Sequence, residues 1–109
     1  MDPEQILQHT ADAFGIPRGH LNGGRRTVYR TLARWTAAHL LYATGHHSYS
    51  DVARLLLYKD HTSARAAVLA IRQQMQSNAY LRDKIKALEV ELHLPAEIIN
   101  QNELKGAAQ

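Results

Sequence analysis

The sequence contains no cysteine, which excludes disulfide bonds and metal sites built on thiolates. It also has no apolar run of the roughly 20 residues that a membrane-spanning helix needs. Its first four residues lack the basic start and the apolar segment of a secretion signal. No phosphate-binding loop of the Gly-x-x-x-x-Gly-Lys-Ser/Thr type occurs, so we expect no bound nucleotide. These absences predict a cytoplasmic protein without a membrane segment, a nucleotide or another cofactor.

The composition that remains is typical of one small domain with a basic centre. The 109 residues are 45% hydrophobic, which suffices for one core but hardly for two independent domains. The net charge is +3 and the pI is near 9.5. Acidic residues lie mainly near the two ends, whereas the middle contains the basic residues Arg18, Arg25, Arg26, Arg30, Arg34, Arg54, Lys59, Arg65 and Arg72. This distribution suits a polyanion-binding face, and an ordinary solvated surface explains it equally well.

Apolar residues recur at helical spacing along most of the chain, and no convincing alternating strand occurs. The glycines, the proline and the asparagine of residues 15–25 are typical of a loop. Helices are predicted over residues 3–14, over 27–44, in a short stretch after Ser48, in a longer stretch after Asp60, and over 78–93. The predicted fold is therefore all-α, a compact bundle of about five helices. We expect a domain of residues 1–94 followed by a flexible tail of residues 95–109.

The stretch that begins at Ser48 predicts a helix-turn-helix. Ser48 and Asp51 have the spacing of a capping box at the start of a short helix. Asp60 is a typical N-cap residue for the helix that follows. A short helix, a tight turn and a second helix are the components of this DNA-binding motif.

In a helix-turn-helix, the first turn of the second helix enters the major groove, where short polar side chains meet the base edges. Asp60 can accept a hydrogen bond from a cytosine amino group. His61 and Thr62 can contact a thymine methyl group, and Ser63 can bind a phosphate at the helix N-terminus. Capping alone also explains Asp60, because that residue type is common at helix starts.

A second basic feature precedes this motif. Arg26, Arg30 and Arg34 are four residues apart, so they line one helical face. A phosphate backbone would relieve their mutual repulsion, as would solvent or pairing with acidic residues. The two glycines before Arg25 and Arg26 allow a flexible arm, which suits a narrow, electronegative minor groove.

These residues resemble the C-terminal DNA-binding domain of the bacterial replication initiator DnaA. The run from Ser48 to Ala53, followed by Lys59-Asp60-His61-Thr62-Ser63, resembles that family's signature. The signature is a basic residue followed by Asp-His-Thr-Thr or Asp-His-Ser-Thr, just after a short helix. Ala13-Phe14-Gly15-Ile16 resembles the turn after the family's opening helix, and residues 81–92 resemble its closing helix. The resemblance extends over about residues 3–93.

The resemblance implies roles for single residues. Arg26 takes the position of the arginine that enters the minor groove, and Asp60, His61 and Thr62 take the positions that read bases. Arg34, Thr62 and Ser63 take positions that hold phosphates, and Ser50 lies where the family has a backbone or thymine contact. The complete set of candidate DNA-binding residues is Arg25, Arg26, Arg30, Arg34, Ser48, Ser50, Lys59, Asp60, His61, Thr62, Ser63 and Arg65.

The chain departs from the family pattern at several positions. The family usually has glutamine where this chain has Trp35, and often a basic residue where it has Tyr42. The family's Phe-Gly before the signature is Leu56-Leu57 here, and its recognition-helix histidine is Ala66. Other arginines are available to replace the lost phosphate contacts, namely Arg30, Arg54, Arg65 and Arg72. The departures bear on the target sequence more than on DNA binding itself.

The function predicted from these observations is sequence-specific binding of duplex DNA at sites similar to DnaA boxes. It would serve control of replication initiation or transcription regulation, with the protein acting as a monomer or weak oligomer. DnaA carries an ATPase domain before this one, whose phosphate-binding loop is missing here. We therefore expect either a natural stand-alone protein or a fragment, which by itself cannot load a helicase.

Two other functions are compatible with the sequence. The first is a protein-interaction module on the same fold, with Leu57, Tyr58 and Leu69 as exposed partner contacts. The second is a metal-dependent hydrolase that uses His46, His47, Asp60 and His61. The Asp-His order and the capping role of Asp60 argue against the hydrolase, so we expect neither an enzyme nor a metal site.

Overall fold

The computed structural model describes residues 2–23 and 27–94. In this part of the chain the protein forms an all-α bundle, as predicted, with five α-helices and one short 3-10 helix. The α-helices are α1 (Pro3–Phe14), α2 (Val28–Ala43), α3 (Tyr49–Leu56), α4 (His61–Ser77) and α5 (Ala79–Glu91). The ends of α1, α2 and α5 lie within two residues of the predicted ends, and α3 and α4 begin directly after the predicted caps Ser48 and Asp60.

The first helix illustrates the local signals at helix ends. The Asp2 side chain accepts a hydrogen bond from the Glu4 amide at 3.1 Å, and a capping box with Gln5 completes the start. Gly15 ends the helix with a φ of 66°, a left-handed conformation that glycine adopts without steric cost. The Ile16 amide then donates to the Ala11 carbonyl at 3.0 Å, which closes the helix in a Schellman motif.

The loop predicted over residues 15–25 is wrong in its middle, where Arg18–Asn22 form the 3-10 helix. Tertiary contacts account for this difference. Leu21 is fully buried, and the Asn22 side-chain amide donates to the Leu55 carbonyl at 2.8 Å. Contacts with residues distant in sequence therefore hold the connection against the bundle. Local helix propensity does not predict such contacts.

Helix α2 is the central helix, as its apolar residues on several sides predict. It packs against α1, α3, α4 and the 3-10 helix, and Ala33, Ala37, Leu40 and Leu41 are fully buried along it. Its alanines permit close approach of the neighbouring helices. The core around it draws on every helix, and its fully buried members include Ile6, Leu21, Leu40, Leu56, Ile71 and Ile85.

One polar group of three residues crosses this core. His39 on α2 is fully buried, and Glu89 on α5 is 4% exposed. The Arg72 Nε of α4 donates to His39 Nδ1 at 3.3 Å, so the ring proton lies on Nε2. His39 Nε2 in turn lies 3.2 Å from Glu89 Oε1. The network ties α4 to both α2 and α5.

The last helix joins the two ends of the domain. The Lys84 ammonium of α5 donates to the Ala13 carbonyl of α1 at 2.9 Å. Glu91 lies 2.6 Å from the His9 ring nitrogen. The core continues to Leu92, while the predicted flexible tail of residues 95–109 lies outside the described residues. No helix in the described part combines the length and the apolar character that a membrane crossing requires.

Candidate nucleic-acid interface

The structure contains the predicted helix-turn-helix, made of α3, a four-residue connection and α4. At the start of α3, the Ser48 hydroxyl accepts from the Asp51 amide at 3.1 Å, and the Asp51 carboxylate accepts from the Ser48 amide at 3.0 Å. At the start of α4, Asp60 Oδ1 accepts from the Ser63 amide at 2.9 Å. Both predicted caps are confirmed.

The turn between the two helices has an unusual backbone at Leu57. Its φ of 57° lies in the left-handed region, which is unfavourable for a residue with a branched side chain. The Tyr58 amide donates to the Ala53 carbonyl at 2.8 Å, so α3 ends in a Schellman motif. The Leu57 side chain is 66% exposed and gains little from burial in this position.

Arg34 on α2 contacts this turn directly. Its Nη2 donates to the Leu56 carbonyl at 2.7 Å and to the Leu57 carbonyl at 3.2 Å. Its guanidinium also lies 4.0 Å from the centre of the Tyr58 ring. Arg34 is half-buried and neutralises the carbonyl end of α3, where a cation is favourable. This structural role was not foreseen from the sequence, which predicts a phosphate contact.

The first turns of α4 present a polar, accessible surface. Asp60, His61, Thr62 and Arg65 are exposed, as is Lys59 before them. Free amides and the helix dipole make the start of a helix favourable for an anion. The side chains predicted to read bases are therefore brought together on one accessible end of α4.

The Asp60 carboxylate combines capping with accessibility. Hydrogen bonds from the Ser63 amide and then from the Ser63 hydroxyl lower the pKa of Asp60 below its ordinary value of 3.8. Both bonds reach Oδ1, at 2.9 and 3.1 Å. Within the described residues no donor reaches Oδ2, so this oxygen is available to accept from a base amino group.

Ser63 is more constrained than the sequence predicts. Its amide and its hydroxyl both donate to Asp60, and the side chain is half-buried. A hydroxyl has a single proton to donate, so a bond from this group to a phosphate requires loss of the bond to Asp60. Ser50, on the first turn of α3, is exposed.

The arginines proposed as replacement phosphate contacts differ in their surroundings. Arg54 is exposed but lies 2.5 Å from the Asp51 carboxylate. Arg72 points inward to His39, so it is not among the arginines available to contact a phosphate. Arg65 is exposed, and Arg30 is half-buried. The arm with Arg25 and Arg26 lies outside the described residues.

An aromatic pair lies at the other side of the motif. The rings of Tyr42 and Tyr49 stack with centroids 4.2 Å apart and planes 2° apart. Burial, and then a hydrogen bond with Tyr42, raises the pKa of Tyr49. Arg72 lies 5.8 Å from the centre of the Tyr42 ring. Tyr42 therefore helps to fix α3 against α2.

A cavity of about 550 Å³, open to solvent, lies between α2, the turn and α4, and no motif in the sequence predicts it. Its lining is mainly apolar, and it also includes two cations, Arg34 and Lys59, and two hydroxyl-bearing residues, Tyr58 and Ser63. Three of the lining residues, Trp35, Leu57 and Ala66, are positions where the chain departs from the family pattern. These three residues are brought together by the fold, so the sequence alone does not show that they form one site.

Within residues 2–23 and 27–94, no three side chains of His, Asp or Glu come together in a way that would hold a metal ion. His46, His47, Asp60 and His61 form no such group there.

Comparison with known proteins gives a similarity to one part of a larger protein. The chain is 25% identical, over 91 residues, to the chromosomal replication initiator protein DnaA of Chloroflexus aggregans. The matched region covers 84% of this chain and 19% of the relative, so the chain spans about a fifth of the length of that protein. No family model matches the chain. The similarity relates most of the chain to a segment of DnaA.

Proposed function

We propose that this chain binds duplex DNA in a sequence-specific manner, with the first turns of α4 in the major groove. The observation that carries this proposal is the exposed, capped start of α4, where Asp60, His61, Thr62 and Arg65 are accessible together. Hydrogen-bonding side chains and methyl groups on a helix end are what base-edge readout requires. The similarity to DnaA supports this choice.

Each residue has a distinct part in the proposed complex. Asp60 accepts from a cytosine amino group through Oδ2 while Oδ1 keeps the cap. His61 and Thr62 contact neighbouring bases, with the Thr62 methyl group able to meet a thymine methyl. Lys59 and Arg65 contact phosphates on either side and supply the salt-dependent part of the affinity.

The remainder of the proposal rests on the resemblance to DnaA. Arg26, on the arm outside the described residues, enters the adjacent minor groove, and the target is a site similar to a DnaA box. The protein binds and does not catalyse. By occupying such sites it would compete with the initiator or regulate promoters, as a monomer or weak oligomer in the bacterial cytoplasm.

One observation favours a second candidate, a protein-interaction module. Two leucines near the motif are exposed, Leu57 by 66% and Leu69 by 43%. Exposed apolar side chains are candidate contact sites for other proteins. This function would leave only weak DNA binding of low salt dependence.

Fluorescence anisotropy tests the first proposal. A labelled duplex with a DnaA-box consensus is compared with a scrambled duplex over a series of salt concentrations. We expect tighter binding to the box, with affinity falling as salt rises. His61→Ala should reduce the difference between the two duplexes by about 1–3 kcal/mol. Equal binding to both duplexes would move the target to another sequence, and no binding to either at low salt would leave the interaction module.

A further inference from the structure

The cavity between α2, the turn and α4 combines an apolar lining with positive charge. Its apolar surface comes from Trp35, Leu57, Ala66 and Ala70, and the cations Arg34 and Lys59 lie beside it. Its volume of about 550 Å³ is within the range of sites that hold a ligand or a large side chain. The cavity therefore suits a ligand in which an apolar group lies next to negative charge.

Leu57 is the residue that the fold explains least. A left-handed φ of 57° disfavours a leucine and favours glycine, and 66% exposure leaves its apolar side chain in water. Neither the backbone nor burial therefore favours leucine at this position. Residues with local backbone strain cluster at functional sites, so the strain at this exposed residue suggests a binding role.

The shape of α4 provides the space beside Leu57. Ser63, Ala66, Ala67 and Ala70 follow the i, i+3, i+4, i+7 spacing that places them on one face of the helix, and all four line the cavity. Their small side chains leave room that longer residues would fill. Trp35 on α2 faces this space and is only half-buried.

The cations restrict the occupant further. Lys59 is exposed, and the Nε of Arg34 is buried and has no hydrogen-bond partner among the described residues. Phosphates of DNA match this charge, but a DNA backbone offers no apolar group large enough to enter the cavity. An aliphatic or aromatic side chain between carboxylates satisfies both the lining and the charge.

We propose that this cavity receives a large apolar side chain from an acidic segment of a partner protein. Because Lys59 belongs to both surfaces, the partner and duplex DNA would exclude each other. The exclusion rests on the proposed DNA-binding function, whereas the binding of the acidic segment does not. The site would then let a protein control how much of the chain is bound to DNA.

A peptide selection with the complete chain tests the cavity. A random library of 12-residue peptides is displayed on phage and selected on the immobilised protein. We expect a consensus with one or two large apolar residues flanked by Asp or Glu. The synthetic consensus peptide should shift the amide NMR signals of Leu57, Ala66 and Ala70. Selection of peptides without this pattern, or shifts elsewhere on the surface, would overturn the proposal.

Two leucine variants give the matched comparison. Leu57→Gly keeps the turn, since glycine suits its conformation, and should weaken the peptide at least tenfold. Leu69→Ser changes an exposed leucine of α4 that does not line the cavity, and should leave peptide affinity unchanged. Equal affinity of the wild type and Leu57→Gly would contradict the role given to Leu57.

Competition separates this proposal from the DNA-binding function. We expect the duplex to displace the labelled peptide, and the peptide to displace the labelled duplex. Peptide binding by a chain that binds no DNA would refute the proposed DNA-binding function and support the cavity site. DNA binding by a chain that selects no acidic peptide would overturn the cavity site alone.

Discussion

At the scale of single residues, Asp60 joins folding to the proposed recognition of bases. Its Oδ1 holds the first turn of α4 through Ser63, and its Oδ2 faces no donor among the described residues. The cap needs the ionised carboxylate, because a protonated one accepts less well from an amide. Base recognition and the stability of the helix start thus depend on the same group.

The pKa of Asp60 gives a pH prediction with a defined sign. The bonds from Ser63 lower this pKa below its ordinary value of 3.8, so the cap stabilises the fold above about that pH. This contribution is lost as the pH falls from 3.8 through the lower pKa of the folded state. A carbon-detected NMR titration should give a midpoint for Asp60 below 3.8 and a simultaneous shift of the Ser63 amide. A midpoint at or above 3.8 would contradict the cap.

Leu57 gives a second prediction at this scale. Replacement by glycine removes a left-handed strain of about 1–2 kcal/mol, offset by the greater freedom of glycine in the unfolded chain of about 0.5–1 kcal/mol. We expect Leu57→Gly to raise the free energy of unfolding in urea by about 0.5–1 kcal/mol.

Leu69 is the control for this substitution. It is also an exposed leucine, but it lies inside α4, where glycine costs about 1 kcal/mol. Leu69→Gly should therefore destabilise the protein. If both glycine variants destabilised it equally, the conformation given to Leu57 would be wrong.

The sequence predicts the helix caps but does not predict the strained backbone of the turn. Ser48 with Asp51, and Asp60 with Ser63, are three residues apart, so the sequence predicts their bonds directly. The left-handed Leu57 has no such local signal, since leucine is not a residue of that region.

At the scale of helices, the helix-turn-helix depends on α2 as much as on its own two helices. Arg34 reaches 22 residues along the chain to the Leu56 carbonyl and covers the Tyr58 ring. Its neighbour Trp35 lines the cavity beside α4. The motif is therefore a three-helix unit, although the sequence predicted it from α3 and α4 alone.

Arg34→Ala tests this role. Loss of hydrogen bonds from a charged donor to the two carbonyls should lower the free energy of unfolding by about 1.5–3 kcal/mol. Arg34→Lys should recover only part of this, because an ammonium lacks the planar fork and the stacking on Tyr58. Both are measured by urea denaturation.

The same variant distinguishes the structural role from a phosphate contact. A phosphate contact predicts unchanged stability and a reduction of the salt slope of DNA binding by about one unit. That pair of results would contradict the role assigned to Arg34 as a cap for α3. Salt slopes should be compared at a temperature where both proteins are fully folded.

At the scale of the whole molecule, the position of α4 is set by a buried polar network. Arg72, His39 and Glu89 come from three helices and lie 33 and 50 residues apart in sequence, counted from His39. A network of this kind fixes the relation between helices only while each member keeps its partner. The sequence predicted the helices but not this network, because long-range pairs leave no periodic signal.

Removal of Glu89 tests how much the network contributes. Glu89→Ala leaves the buried His39 ring without the acceptor that faces its Nε2, so we expect a loss of about 3 kcal/mol in the free energy of unfolding. Glu89→Gln keeps an oxygen that accepts from His39 and should cost less.

The exposed pair on the same helix is the control. Glu91 pairs with His9 at the surface, where ion pairs contribute less than about 1 kcal/mol. Glu91→Ala should therefore have a small effect. A loss in Glu89→Ala no larger than that in Glu91→Ala would show that the network does not hold the helices.

The most direct test of the central claim is a map of the DNA contact by NMR. The ¹⁵N-labelled chain is titrated with a duplex that contains the DnaA-box consensus, or with a duplex obtained by selection. We expect the largest amide shifts at His61, Thr62 and Arg65 on α4 and at Ser50 on α3. Shifts confined to α1 and α5, or the absence of any saturable shift at low salt, would contradict DNA binding through the start of α4.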